Sequence, residues 1–432
     1  MDLAMDPARR EQLPPGTVPL EDLQRNEIIL QPWPSDDPEQ PLNWSSIRKT
    51  INYTIISFYA LMTFALIDIG TVVWAPMNEQ LGITYVNMNN SFAANVAGLA
   101  VGCIIMVPMA IIFGRRPVYI LSTAIQLGSG IWSARTMTTG DLIGSNVLSG
   151  LGGAISESIV QMTIADLFFV HQRARMNAIY LVMVYIGSFL APVAAGYCAK
   201  AQGWRWIWWW TVLFLAITLV VVIIAYEETK YTPRIDATRV RSHESRGDDE
   251  AKPTKLDQDA KQTPEPNVTT FHVQPHLVAH SKRSWRERLA LYTLTPGGSR
   301  PFLHLIWDTL SLVRFPAVAY TALMWGSTLM WFSILVTTMS TYFTLPPYNF
   351  SPSGIGLMNL APFLGTVLGL SLSSCNDWII LRLSKRNGGM FEPEMRLWLG
   401  LVGVVLAPAG LLLFGLSMSK ASAVDEKPIE PS

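Results

Sequence analysis

Charged residues are scarce in this chain. They make up 15% of its 432 residues, whereas half of the residues are apolar. A soluble protein usually carries about 25% charge, because charge keeps a large surface in water. The shortage therefore argues against a soluble protein. Basic and acidic residues both number 32, so the net charge is zero and nothing favours a nucleic acid or an acidic partner.

Cysteine and catalytic motifs are also rare. The three cysteines, Cys103, Cys198 and Cys375, each lie in an apolar stretch, which is typical of packing residues rather than of disulfides. His and Cys residues do not occur at metal-ligand spacing, and neither a G-x-S-x-G motif nor a phosphate-binding glycine loop is present. The sequence therefore predicts a protein that is not an enzyme and that holds no metal or cofactor.

Long apolar runs are what the chain has instead. Crossing about 30 Å of hydrocarbon takes roughly 20 apolar residues in a helix that pairs its own peptide groups. Nine such runs predict an all-α polytopic membrane protein. They cover residues 51–75, 92–113, 118–134, 142–169, 176–199, 206–226, 316–343, 354–376 and 397–418.

The runs fall into two groups that polar segments separate. We predict a disordered cytoplasmic segment at 1–50, a six-helix bundle at 51–226, a flexible linker at 227–315, a partial bundle at 316–418 and a polar tail at 419–432. The first segment has no signal-peptide features, so the first apolar run is expected to stay in the membrane.

Basic residues predict the orientation. If nine spans alternate, the short loops that carry Arg115 and Arg116, Arg173 and Arg175, and Lys385 and Arg386 all lie on one side. Lys and Arg collect on the cytoplasmic side of membrane proteins. We therefore expect a multi-pass protein of the plasma membrane with a cytoplasmic N-terminus.

Three strings of residues carry a family resemblance. They are D-P-E-Q-P-L-N-W at 37–44, E-S followed by A-D-L-F-F-V-H-Q-R between 157 and 173, and N-G-G-M-F-E-P-E-M-R-L-W at 387–398. They resemble the major facilitator superfamily, and within it the fungal drug:proton antiporter branch, which includes exporters of toxins and secondary metabolites and carriers of polyamines and cations.

The resemblance implies two six-helix halves around a central cavity. The first half is complete here, whereas only about three helices of the second follow the linker, so the chain looks truncated at its C-terminus. It would then be an incomplete product, would work with a partner chain, or would have lost transport.

The loop between the second and third spans resembles the end of a superfamily signature. It reads Phe-Gly114-Arg115-Arg116-Pro. Ile111 and Ile112 replace an acid and a base that help to latch neighbouring helices in the superfamily, so we expect a latch that is weakened or made differently. Ordinary anchoring by positive charge explains the two arginines equally well.

Two further motifs match in part. In the fourth span, Asn146 occupies the place of a membrane-embedded arginine of the superfamily. The fifth span resembles the antiporter motif through Gly187, Pro192 and Gly196. Small residues at these spacings let helices approach closely and proline bends a span, which also suits a purely structural contact.

Acidic residues inside spans are the best candidates for function. Such a group is costly in lipid, so it usually faces a cavity or a partner. Asp68 in the first span and Glu157 in the fourth could carry protons, although a hydrogen bond between helices is the alternative. At predicted cytoplasmic helix ends, Asp166 lies near Arg173 and Asp377 near Arg386, which favours gating or structural ion pairs.

Other polar and aromatic side chains could contact a solute. Asn95, Gln161 and Asn359 could do so, but interhelical hydrogen bonding is their commoner role. Trp325 could stack on a cationic or aromatic solute, or face lipid. The sequons at Asn89 and Asn349 fall on the predicted exterior and are candidates for glycosylation.

The leading hypothesis is a transporter that exports a small organic solute, such as a secondary metabolite, toxin or drug, in exchange for protons. Its partners would be the lipid bilayer, the solute and protons. The alternatives are an uptake carrier for a cation or polyamine and a non-transporting relic.

Overall fold

A computed structural model describes residues 37, 39–231, 302–346, 348–386 and 405–417, together with short pieces at 18–19, 21–22, 27–28, 390–391 and 403. Nearly all of these residues are helical. The helices are α1 (Ser46–Asp68), α2 (Trp74–Leu81), α3 (Tyr85–Phe113), α4 (Arg115–Ala134), α5 (Thr139–Leu167), α6 (Val170–Tyr185), α7 (Ala191–Gln202), α8 (Trp206–Ala225), α9 (Phe302–Ser311), α10 (Pro316–Tyr342), α11 (Pro352–Met358), α12 (Leu360–Arg386) and α13 (Val405–Ser417).

The few strands are minimal. Val18–Pro19 pairs antiparallel with Met390–Phe391, and Glu21–Asp22 pairs with Glu27–Ile28. Each pair is only two residues long, so these strands form no sheet layer against the helices.

Seven helical segments are long and apolar enough to cross a membrane, which confirms a multi-pass α-helical protein. They are Ser46–Leu81, Tyr85–Phe113, Thr139–Leu167, Gln172–Gln202, Trp206–Ala225, Pro316–Tyr342 and Pro352–Leu372. Each contains or overlaps one of the nine predicted runs. The other two runs correspond to α4 and α13.

α4 and α13 differ from the expectation for different reasons. α4 is 20 residues long, enough to cross about 30 Å, but it is too polar to qualify by composition. Its polar side chains, including Ser122, Thr123 and Gln126, are fully buried, so they face neighbouring helices rather than lipid. Of the predicted run 397–418, the structure describes Val405–Ser417 as a short apolar helix, with the isolated residue 403 before it.

Three spans are interrupted. A 3-10 turn at Ile69–Val73 links α1 to α2, and a π-helical segment at Ile186–Leu190 links α6 to α7. Pro192 follows that segment in the first turn of α7, where its missing N–H is tolerated. Asn359 separates α11 from α12. Such interruptions in membrane helices are often functional.

Helices α3 and α5 cross at very short distance. A Cβ placed on Gly150 would lie 1.9 Å from the Asn95 carbonyl oxygen, and one on Gly98 would lie 2.5 Å from that of Val147. Only glycine allows two backbones to approach in this way. The buried core lies within α1–α8, in one cluster around Tyr59 and Tyr119 and another around Trp74 and Trp208.

The predicted linker and tail lie largely outside the described residues. This applies to residues 232–301, to 418–432 and to most of 1–36.

Candidate functional site

Asp68 and Glu157 lie close enough to interact electrostatically. Asp68 is the last residue of α1 and is 6% exposed. Glu157 lies about midway along α5 and is half-buried. Among the residues that the structure describes, no Lys or Arg nitrogen lies within 4 Å of either carboxyl group. The bundle therefore contains two neighbouring acids without a described basic partner.

The π-helical segment brings a hydroxyl group close to the Asp68 carboxyl. This hydroxyl belongs to Ser188, which is itself buried. The preceding residue is a glycine for a steric reason, because a Cβ on Gly187 would lie 2.4 Å from the carbonyl oxygen of Leu61 in α1. The glycine of the antiporter-like motif thus brings the serine hydroxyl to the acid.

Three titratable side chains lie near Glu157. Cys103, Tyr180 and Tyr185 lie close enough to sense its charge. Gln161 follows one helical turn later on the same face of α5, and it is exposed. This face combines a carboxyl, an amide and neighbouring phenols, which suits both proton exchange and contact with a polar solute.

The other predicted solute contacts lie elsewhere. The Asn95 amide donates to the Asn146 carbonyl oxygen at 3.0 Å and so joins α3 to α5. Asn359 donates to Ile355 of its own chain segment at 3.1 Å. Trp325 is 57% exposed on α10. The Asn95 bond is interhelical, which was the alternative to solute contact, whereas the Asn359 bond stays within α11. Solute contact by either residue stays a prediction.

The antiporter-like motif also forms a contact between the two groups of helices. A Cβ on Gly196 would lie 2.6 Å from the Pro352 carbonyl oxygen, and one on Gly356 would lie 2.8 Å from that of Pro192. Helices α7 and α11 therefore meet backbone to backbone.

A network of charges holds the helix ends at the face that carries the N-terminal segment, here called the basic face. Arg48 donates two hydrogen bonds to the Glu227 carboxylate, and its guanidinium lies 3.8 Å from the ring centroid of Trp44. The Glu227 N–H donates to the Asn52 side-chain oxygen at 2.8 Å. The start of α1 is thereby fixed to the chain that leaves α8.

Glu228 caps the start of α4. Its carboxylate accepts from the backbone N–H groups of Arg115 at 2.9 Å and Arg116 at 3.1 Å. These donors have no partner within the helix, and negative charge is favoured at this end of it. The Arg115 side chain donates to Asp166 of α5 at 3.2 Å. Glu228 and Arg115 together connect α4, α5 and the segment after α8.

A sequence model of the Major Facilitator Superfamily matches residues 53–424. The chain belongs to the major facilitator superfamily. Membership of this superfamily and the multi-pass helical fold point to a membrane carrier.

Curated relatives are fungal transporters. An uncharacterised MFS-type transporter of Schizosaccharomyces pombe is 32% identical over 91% of this chain and 71% of its own length. Protein HOL1 of Saccharomyces cerevisiae is 27% identical, with coverages of 91% and 74%. The efflux pump radE of Floropilus chiversii is 26% identical, with coverages of 88% and 64%.

Solved structures give only a distant match. A proton:xylose symporter of the superfamily shares 14% identity and a TM-score of 0.38, over 41% of this chain and 45% of the symporter. The chain therefore spans less than half the length of that structure.

At the place of the superfamily latch, the end of α3 binds a cation from the segment after α8. The expectation of a latch that is weakened or made differently stays a prediction. The Lys230 ammonium donates to the carbonyl oxygens of Ile111 at 2.6 Å and Ile112 at 2.9 Å. A cation from the segment after α8 thus neutralises the C-terminal end of α3, where the two isoleucines replace charged residues. Burial lowers the pKa of Lys230, and nearby Arg115 lowers it further.

The ion pair predicted around Asp166 has another partner. Asp166 binds Arg115, whereas Arg173 donates to the carbonyl oxygens of Phe168 at 3.0 Å and Ala165 at 2.8 Å. Arg173 therefore caps the end of α5, because carbonyl groups there lack partners in the helix. The side chains of Asp377 and Arg386 lie outside the described residues.

The N-terminal motif docks onto the segment after α8, which the sequence did not indicate. The buried Asp37 accepts from the Tyr231 hydroxyl at 2.9 Å, and Glu39 lies 3.8 Å from Arg48. The N-terminal string was visible as a family match, but nothing in it predicts contact with the segment after α8. The run of charges directly after the last apolar residue of α8 was the available signal.

The two sequons differ in geometry. Asn89 lies inside α3 and is half-buried, with the hydroxyl residue of its sequon, Ser91, 3% exposed. Asn349 lies in an exposed turn with φ of 46°. The turn at Asn349 is the more accessible site for modification.

Proposed function

We propose that this superfamily member exports a small organic solute in exchange for protons, with Asp68 and Glu157 as the proton-carrying groups. The observation that carries the proposal is the neighbouring placement of two acids inside the bundle, without a described basic partner. A carboxyl in that position can bind a proton while it is accessible from one side of the membrane and release the proton when it is accessible from the other side. Two such groups can exchange protons against one solute.

The relatives support export. One is named an efflux pump, and another is named an MFS-type transporter of Penicillium rubens. A small organic solute, such as a secondary metabolite, toxin or drug, is therefore the proposed class. We place the protein in the plasma membrane with its basic face, and hence its N-terminus, in the cytoplasm, because positive charge collects there.

Efflux from cells tests the proposal. A fungal host that expresses the chain is expected to retain less of an exported metabolite than the empty host, and a protonophore should abolish the difference. Glu157→Gln should reduce efflux, since the amide cannot carry a proton. Glu79→Gln is the matched control, because Glu79 is exposed at the end of α2. Unchanged efflux in the Glu157→Gln variant would remove this residue from the mechanism.

The same acids favour a second candidate, uptake of a cation or polyamine. Carboxylates without a described basic partner can balance a positively charged solute directly. Accumulation of a radiolabelled polyamine in expressing cells, lost in Asp68→Asn, would select uptake over export. No flux of either class in proteoliposomes would favour a non-transporting protein.

A further inference from the structure

A cavity of about 450 Å³ lies between α3 and α10, apart from the two acids. One of its walls belongs to the first group of helices and the other to the second. Its α3 wall is formed by Phe92, Ala93 and Val96, with Asn89 at one end. Ligand cavities in proteins commonly have 300–1,000 Å³ of space, so this one can hold a small organic molecule.

The α10 wall is a row of hydroxyl groups. Ser333, Thr337, Thr338 and Thr341 lie within two and a half turns, and Ile334 and Tyr342 complete the wall. Thr337 and Thr341 donate to carbonyl oxygens of their own helix, at 2.9 and 2.8 Å. Their oxygens remain able to accept hydrogen bonds from a bound molecule.

At one end of the cavity, the end of α10 contacts the start of α3. The Thr344 hydroxyl, just after α10, donates to the Tyr85 hydroxyl at the start of α3, with 3.2 Å between the oxygens. The Asn89 side-chain oxygen near this end is buried and has no hydrogen-bond partner among the described residues. A buried amide oxygen without a donor favours a ligand that brings one.

The lining residues carry no charge, one wall is apolar and the other is hydroxylated. From this, we propose that the cavity binds a neutral, amphipathic solute, whose apolar side packs on Phe92 and Val96 and whose hydroxyl or carbonyl groups bond the α10 hydroxyl row and Asn89. The inference deepens the proposed export function by naming the class of solute. It predicts that a cation is excluded, because a charge without a partner is costly in such a cavity.

Protection of a single cysteine tests the cavity directly. Cys103, Cys198 and Cys375 are replaced by alanine, and Thr338→Cys is introduced into the full chain in lipid nanodiscs. A thiol reacts with N-ethylmaleimide as its thiolate, which forms only where water reaches it. Leu329→Cys is the control, since nine residues along α10 turn it to the opposite face. We expect the cysteine at 338 to react at least tenfold faster than the one at 329.

Two probes with the same tail then test the solute class. Octyl glucoside is neutral and hydroxylated, and octyltrimethylammonium is cationic; both are used below the concentration at which they form micelles. We expect the glucoside to slow modification at 338 at least threefold and the cation to leave it unchanged. Ser333→Ala together with Thr341→Val should raise the glucoside concentration needed for half-maximal protection at least fivefold, because two hydroxyl groups are lost.

The results separate this inference from the transport proposal, because the labelling requires no transport. Equal protection by both probes would overturn the assignment of a neutral solute. A cysteine at 338 that reacts as slowly as the one at 329 would show that the cavity is not open to water and would overturn the site. Protection without efflux would keep the site and refute export.

Discussion

Glu228 offers the sharpest test of the basic face. Its carboxylate accepts from two backbone N–H groups at the start of α4 and from the Lys230 N–H at 2.9 Å. Glu228 is only 5% exposed, so water cannot readily replace it. In Glu228→Ala, the Arg115 and Arg116 N–H groups lose their acceptor. A buried donor without a partner costs about 1–3 kcal/mol, so two such donors predict a loss of roughly 2–6 kcal/mol.

Thermal unfolding of the purified chain in detergent measures this loss. One kcal/mol changes the melting temperature by about 2 °C in a large domain, so a decrease on the order of 5 °C is expected. Glu228→Gln keeps one acceptor oxygen and should lose about half as much. Glu79→Ala removes an exposed acid and should lie within about 0.5 kcal/mol of the wild type. Equal melting temperatures for Glu228→Ala and Glu79→Ala would refute the capping role of Glu228.

Three further variants test separate parts of the structure. Gly150→Ala should destabilise the chain by about 1–3 kcal/mol in the same melting assay, since its Cβ meets the Asn95 carbonyl. Gly128→Ala is the control, because its Cβ has open space and should not change the stability. Equal stability of the two variants would mean that α3 and α5 are not this close. Lys230→Met should lower the melting temperature because two carbonyl groups lose their donor, and Lys230→Arg should restore most of it; no difference between them would exclude the replacement latch. Ser188→Ala should slow proton-coupled efflux, whereas Ser371→Ala, which removes only a bond to Val367 of the same helix, should not; equal rates would show that the serine does not assist Asp68.

Much of the architecture could be predicted because apolar run length is a direct physical signal. A peptide group in lipid must be paired within its own helix, so each long apolar run implies a span. α4 is more polar than a typical span because its Ser122 and Gln126 face neighbouring helices. The length of an apolar run does not show which side of a helix faces protein and which side faces lipid. The break at Asn359 was missed for the same reason.

The site could be predicted only in part. Acids inside spans pointed to Asp68 and Glu157, because their cost in lipid demands a reason. Their neighbour Ser188 depends on a π-helical segment and on a glycine contact with Leu61, which arise from packing across helices. The pairing of Asp166 with Arg115 rather than Arg173 likewise depends on which helix ends are adjacent. Arg173 is near Asp166 in sequence, whereas Arg115 is near it only because their helix ends meet in the fold.

The central claim is that Asp68 and Glu157 carry the protons that drive transport. Its most direct test is proton flux in proteoliposomes that contain the purified chain and an internal pH dye. Adding a transported solute to one side should move protons in the opposite direction, and Asp68→Asn combined with Glu157→Gln should abolish that flux while the protein stays folded. Solute-driven proton movement at the wild-type rate in the double variant would contradict the account.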